Sequence, residues 1–160
     1  MKKQITITAL LITALLRCSE ATAETFVVSR TGAEVSATRD GKAWAGKGKI
    51  DRKDPTVLLA AFFKSYFERT DEWKDFVAGI IGAKENAILY MEEDYVSFYG
   101  RADSVSITID PEKFEDNGGV FADYTVKIAY TYKGESGEDE DQVAMAKDED
   151  GGWVVVELPR

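Results

Sequence analysis

The stretch from Val120 to Tyr132, VFADYTVKIAYTY, limits what this chain can become more than any other. Val120, Ala122, Tyr124, Val126, Ile128, Tyr130 and Tyr132 fall on one side of a period of two, and Asp123, Thr125, Lys127 and Thr131 on the other. A strand written this way keeps one face in an apolar core and one in water, so it needs strand neighbours and a cover for the apolar face. The cover is read upstream. Asp54-Pro55-Thr56 is a helix start, with a side chain able to accept from the first amides and a proline where its missing N–H does no harm. The residues that follow, Val57 to Phe67, are apolar around most of the circumference, which describes a helix buried on several sides.

Around these two elements the spacing predicts a second helix capped by Thr70, with Trp73, Phe76, Val77, Ile80 and Ile81 on one face and Gly82 at its end. Glu85 to Tyr99 carries both helical and strand signals and is read as a helix up to about Asp94. Val105, Ile107 and Ile109 alternate as a strand that Asp110-Pro111 should stop. Beyond Tyr132 come a Gly134-Glu135-Ser136-Gly137 turn, a strand from Gln142 to Lys147 and a last strand from Trp153 to Leu158. Ahead of the first helix, Thr25 to Ser36 alternates weakly, and Thr38 to Trp44 reads as a turn into another extended piece, a short hairpin.

Between the last two strands lies Lys147-Asp148-Glu149-Asp150-Gly151-Gly152-Trp153, which admits two readings. Asp-Gly supplies the positive φ of a tight hairpin. A calcium loop would need several oxygens at fixed spacing and a distant bidentate acid, and only a fragment of that pattern is present, so a turn is expected and no metal. Ala45-Gly46-Lys47-Gly48-Lys49 likewise lacks the spacing of a phosphate loop.

Compartment and charge narrow the function. Met1-Lys2-Lys3, an apolar run from Ile5 to Leu16 and Ala21-Thr22-Ala23 form the pattern of an export signal cleaved after Ala23. Cys18 raises the competing reading of a lipoprotein, against which stands the large charged Arg17 before it. Removing residues 1–23 takes away Lys2, Lys3, Arg17 and Glu20 and moves the net charge from −9 to −11. So acidic a protein is a poor binder of nucleic acid, and after signal removal no membrane association is expected. Arg39, Lys42, Lys47, Lys49, Arg52 and Lys53 crowd one segment and the acids from Glu135 to Asp150 another. Asp139, Glu140, Asp141, Asp148, Glu149 and Asp150 are expected to form one negative surface. The expected division is a signal over 1–23, a short hairpin or extended segment over 24–53 and an α+β domain over 54–160, with N-terminal helices packed on a curved antiparallel sheet.

Three pieces together resemble the nuclear transport factor 2-like (cystatin-like) superfamily: the DPTVLLAAFFKSYFE helix from Asp54, the YTVKIAYTY strand from Tyr124 and the closing KDEDGGWVVVEL. The resemblance covers Asp54 to Leu158 and implies a cone-shaped roll in which a bent sheet wraps a long helix and leaves a pocket at its open end. Members include isomerases, dehydratases and binding modules.

The chain holds no histidine, which excludes imidazole acid–base work and histidine-containing zinc sites, and its single cysteine precedes the expected cleavage point. No cofactor is implied. An isomerase similar to those of the superfamily would use a carboxylate base with tyrosine donors, and Tyr66, Tyr95, Tyr99 and Tyr124 are the candidate pocket residues. No acid is read on the inward face of the long strand, since Asp123 points the other way. No catalytic residue is therefore assigned. The leading expectation is a non-enzymatic periplasmic or secreted binding or protein-interaction domain. An immunity or inhibitor-type partner of a basic exported enzyme and a small-molecule isomerase or hydrolase are the alternatives. The partner is a small molecule or a basic protein, and a homodimer stays open.

Overall fold

The structure is a computed structural model that describes residues 22–27, 34–39, 50–78 and 83–159. Helix α1 spans Pro55–Glu68, and Asp54 caps it by accepting from the amides of Thr56 and Val57 at 3.0 and 3.1 Å. Leu58, Leu59, Ala60, Phe62, Phe63 and Tyr66 of this helix are all fully buried. A helix apolar around most of its circumference can be satisfied only by being covered on several sides.

What surrounds it is one sheet of six strands in the order β1 to β6. These are β1 (Thr22–Val27), β2 (Glu34–Arg39), β3 (Ser104–Asn117), β4 (Phe121–Tyr132), β5 (Glu135–Lys147) and β6 (Trp153–Glu157). Strands β3 to β6 form an antiparallel meander behind the helices, the α+β arrangement expected. Both β3 and β6 touch α1 although two strands separate them. The sheet curves over the helix, as twisted antiparallel strands do. Ala122, Tyr124, Val126 and Ile128 of β4 face α1, as the period of two requires. Val120 lies outside the strand and is exposed.

Several boundaries differ from the sequence reading, each for a physical reason. The sheet is not wholly antiparallel, because β2 pairs in parallel with β3 over Glu34–Ala37 against Ser106–Ile109. Thr38 and Arg39 belong to β2 rather than to a turn, and β2 pairs antiparallel with β1 from Val27 opposite Glu34 to Thr22 opposite Arg39. Gly41 to Trp44, and Ala45 to Lys49, lie outside the described residues. In place of the second long helix stands a 3-10 turn over Asp71–Phe76, in which the Thr70 side chain makes no cap. Val77 instead turns extended and bridges Val155 of β6, and Ala78 donates to the Val155 carbonyl at 3.1 Å. Sheet pairing thus overrides the helical spacing there, while Ile80 to Gly82 are not described. Helix α2 runs Lys84–Ser97, past Asp94.

Pro111 does not stop β3. Four residues, Asp110 to Lys113, stand opposite Thr125 alone, and this bulge accommodates a residue without an N–H before pairing resumes at Phe114 against Tyr124. Beyond Ile109, β3 has no strand partner on the β2 side among the described residues. The β4–β5 turn is only Lys133 and Gly134, with φ of 51° and 80°, so Glu135, Ser136 and Gly137 are already strand. Gly137 marks a close approach instead, since a Cβ there would sit 2.5 Å from Cζ of Tyr130.

Candidate functional site

Tyr66 is the centre of an aromatic group at the C-terminal end of α1. It stacks on Phe62 at 5.4 Å and meets Trp73, Tyr95 and Tyr99 edge-on at 5.2, 5.5 and 6.0 Å. Its hydroxyl donates to the Met91 carbonyl of α2. Arg69 ends α1 in the left-handed region, ion-pairs with Glu92 and lays its guanidinium 4.0 Å from the Tyr95 ring centroid. Three of the four candidate tyrosines therefore meet where α1, α2 and the segment after α2 converge.

Tyr124 is not with them. Its hydroxyl shares a 2.8 Å hydrogen bond with Thr56 Oγ1 at the other end of α1, ten residues or about 15 Å along the helix from Tyr66. Burial raises the phenols of Tyr66, Tyr99 and Tyr124 well above their ordinary range. The charge of Asp94 adds to the effect at Tyr66 and Tyr99, while the Thr56 hydrogen bond works against it at Tyr124. The Tyr99 hydroxyl is buried with no hydrogen-bond partner among the described residues.

An inward-facing carboxylate is present after all. Because β5 begins at Glu135, its register sets Asp141 beside Val126 and Asp139 beside Ile128, on the face that carries Tyr124. Asp141 is partly buried, and its charge is among those that raise the Tyr99 phenol. Counting back in twos from the buried Val143 and Met145 finds both acids; the composition of the segment, read as a loop, conceals them.

The same register divides the acids thought to form one surface. Asp141 and Asp148 are seven residues apart on an extended strand, about 23 Å. Asp148 works inside its own turn. Its Oδ1 accepts from the amides of Asp150 and Gly152 at 3.1 and 2.8 Å, and its Oδ2 accepts from Arg52 at 3.3 Å. Arg52 also donates to the Asp75 carbonyl, and its own carbonyl accepts from Trp153 at 2.8 Å. The hairpin of β5 and β6 is thus clasped to the approach to α1. Gly151 takes the positive φ, 75°, and Gly152 the close approach, since a Cβ there would stand 3.0 Å from Cβ of Arg52.

No group of three or more acids, histidines or cysteines among the described residues is placed to hold a metal ion. Asp148→Ala is expected to lower stability by about 1–3 kcal/mol, the range for stranding buried or half-buried partners. Millimolar calcium should leave the melting temperature of the wild type unchanged. A calcium-dependent rise abolished by Asp148→Asn would show that the turn is a metal loop.

Two surfaces complete the picture. On the outer face of β3, β4 and β5, Ser104, Ser106, Thr131 and Ser136 line a shallow trough of about 520 Å³. Its one carboxylate, Glu138, is paired with Lys127 at 2.8 Å. On α2 only Met91 is fully buried, while Leu89, Tyr90 and Val96 are 60%, 59% and 68% exposed. Comparison of the chain with protein-family models, with curated proteins and with solved structures finds no match.

Proposed function

We propose that this chain is an exported protein-interaction domain whose contact surface is the outward side of α2 and whose partner is a basic exported protein. The observation that carries the reading is the exposure of Leu89, Tyr90 and Val96 on one helix. Leu89, Glu93 and Val96 follow a spacing of four and three, so an apolar strip with an acid in it faces outward. Burying the part of such side chains still in water is worth about 1–2 kcal/mol each, a reason for a partner to cover them. Glu85 and Glu93, both exposed, favour a cationic surface opposite, and a net charge of −11 after signal removal disfavours a second copy of the chain. An inhibitor or immunity role toward a basic enzyme falls within this reading. The cone-shaped, nuclear transport factor 2-like arrangement is part of the proposal, and the bend of the sheet around α1 supports it.

A photo-reactive residue at position 90, introduced in cells that export the protein, should capture the partner covalently. With that partner purified, Leu89→Asp combined with Val96→Asp is expected to weaken binding by about a hundredfold or more, as for central apolar anchors. Rising salt should slow association. Wild-type affinity in the double variant, or crosslinking only to a second copy, overturns the proposal.

A second reading is favoured by Asp141. A carboxylate on the inward face whose charge reaches a buried tyrosine hydroxyl is part of the equipment of a proton-transfer isomerase, with Asp141 as base and Tyr99 as donor. Exchange of α-protons of simple enolisable ketones in heavy water, lost in Asp141→Asn and weakened in Tyr99→Phe, would support it. Its absence in the wild type would leave the interaction reading alone.

A further inference from the structure

We propose that the corner between the Phe98 and Tyr130 rings, with Asp139 beside it, takes a cationic side chain of the basic partner, arginine in preference to lysine. The inference rests on the interaction reading and adds to it a second contact, beyond the end of α2, with the chemistry that fills it. Phe98 follows the last residue of α2 and is 41% exposed. Its ring stands at 75° to that of Tyr130, with centroids 5.4 Å apart, and at 75° to that of Tyr99, 5.0 Å away. Tyr99 is itself buried against Tyr66 and Phe67, so the corner has a fixed back. Tyr130 lies across β5, because Gly137 opposite it has no side chain to hold the ring off. Asp139, two residues beyond Gly137 on the same inward face, is exposed and diagonal to Tyr130, a spacing that an aromatic side chain can span.

Two aromatic rings set at an angle and a carboxylate are the surroundings that attract a cation. The rings on either side already have one from this chain. Arg69 lies over Tyr95, and Arg101 and Lys133 lie over Tyr132, at 4.0, 6.0 and 5.1 Å from the ring centroids. Among the described residues no lysine or arginine lies over Phe98 or Tyr130, and none pairs with Asp139. Asp139 Oδ1 accepts from the Glu140 amide at 2.9 Å. With Glu135, Asp139 and Asp141 facing inward from β5 against Arg101 and Lys133, the rim stays net negative. A planar guanidinium can lie on one ring, turn its edge to the other and direct its N–H fork at the carboxylate, whereas an ammonium is a more strongly hydrated point charge. Val96, on the proposed contact surface, is two residues from Phe98, at most about 7 Å of chain, so one partner can cover both.

The corner is tested first without the partner. n-Butylguanidinium, titrated into the purified protein while the backbone amide signals of Phe98, Tyr130 and Asp139 are followed by NMR, should bind about fivefold or more tightly than its neutral isostere n-butylurea. It should also bind more tightly than n-butylammonium. Phe98→Leu and Asp139→Asn should each remove the preference over the urea. Gly137→Ala should do the same, because its Cβ would stand 2.5 Å from Cζ of Tyr130 and push that ring aside. Equal binding of guanidinium and urea, or a preference that survives in any of the three variants, overturns the corner as a cation site. Tighter binding of the ammonium overturns the choice of arginine. With the partner captured through position 90, the three variants should each weaken its binding about tenfold, and n-butylguanidinium should compete with it. A corner that binds the guanidinium while the partner's affinity is unchanged by the variants and by the competitor overturns the partner as occupant and assigns the site to a free organic cation. Leu89→Asp with Val96→Asp leaves the small-cation titration untouched, so failure of the α2 surface and failure of the corner are read apart.

Discussion

Phe62→Ala is expected to lower unfolding free energy by about 3–5 kcal/mol, the range for deleting a buried aromatic side chain. Phe62 is fully buried on α1 and touches rings on three sides, with Phe63 at 5.3 Å, Tyr66 at 5.4 Å and Trp73 at 6.2 Å. Its removal leaves a cavity among rigid neighbours that are themselves pinned, Tyr66 by the Met91 carbonyl. Poor collapse puts the expected loss in the upper part of the range. Lys64, two residues along the same helix and partly exposed, serves as the control, and Lys64→Ala should be nearly silent. Urea or guanidinium midpoints measure both; equal shifts in the two variants would refute the burial of this face.

The other large effect is expected in alkali. Tyr66, Tyr99 and Tyr124 have phenols raised by burial, so above the ordinary tyrosine pKa of about 10 the unfolded chain gives up protons that the folded chain keeps. A raised folded-state pKa contributes stability that is complete below the unfolded value and lost as pH rises through and beyond it. Each group then contributes a slope of about 1.4 kcal/mol per pH unit, and the three together about 4. Denaturant midpoints followed from about pH 9 to about pH 11 should fall steeply, with the phenolate absorbance of these residues appearing together with unfolding. Tyr124→Phe should reduce the slope by about a third although it also removes the hydrogen bond to Thr56. An unchanged slope in that variant would mean that Tyr124 is not held neutral by the fold.

The parts of the fold legible in the sequence were those where one local pattern answers to one neighbour. The alternation of β4 and the apolar circumference of α1 say in advance that one covers the other, and they do. What was illegible depended on partners distant in sequence. Nothing local to Val77 announces that it will bridge Val155 and end a helical spacing. Pro111 ends strands as a rule, and only a bulge opposite Thr125 lets β3 go on to Asn117. The candidate site suffered in the same way. A turn placed at Gly134 to Gly137 hid the first half of β5, and with it the inward position of Asp141. Nothing local to the four tyrosines read as candidate pocket residues announces that Tyr124 stands at the opposite end of α1 from Tyr66, Tyr95 and Tyr99.

The half-paired length of β3 has a consequence for how densely this protein can be kept. Past Ile109 no strand among the described residues pairs with β3 on the β2 side, and an unpaired flank of that kind is where foreign strands accrete into fibrils. Here that flank carries Pro111 in a bulge, then Glu112, Lys113, Glu115 and Asp116, all exposed. A newcomer would meet a missing donor, a bent backbone and a row of charges in turn. Straightened and stripped of those residues, the same flank would be a template; with them, it is a poor one for a second strand.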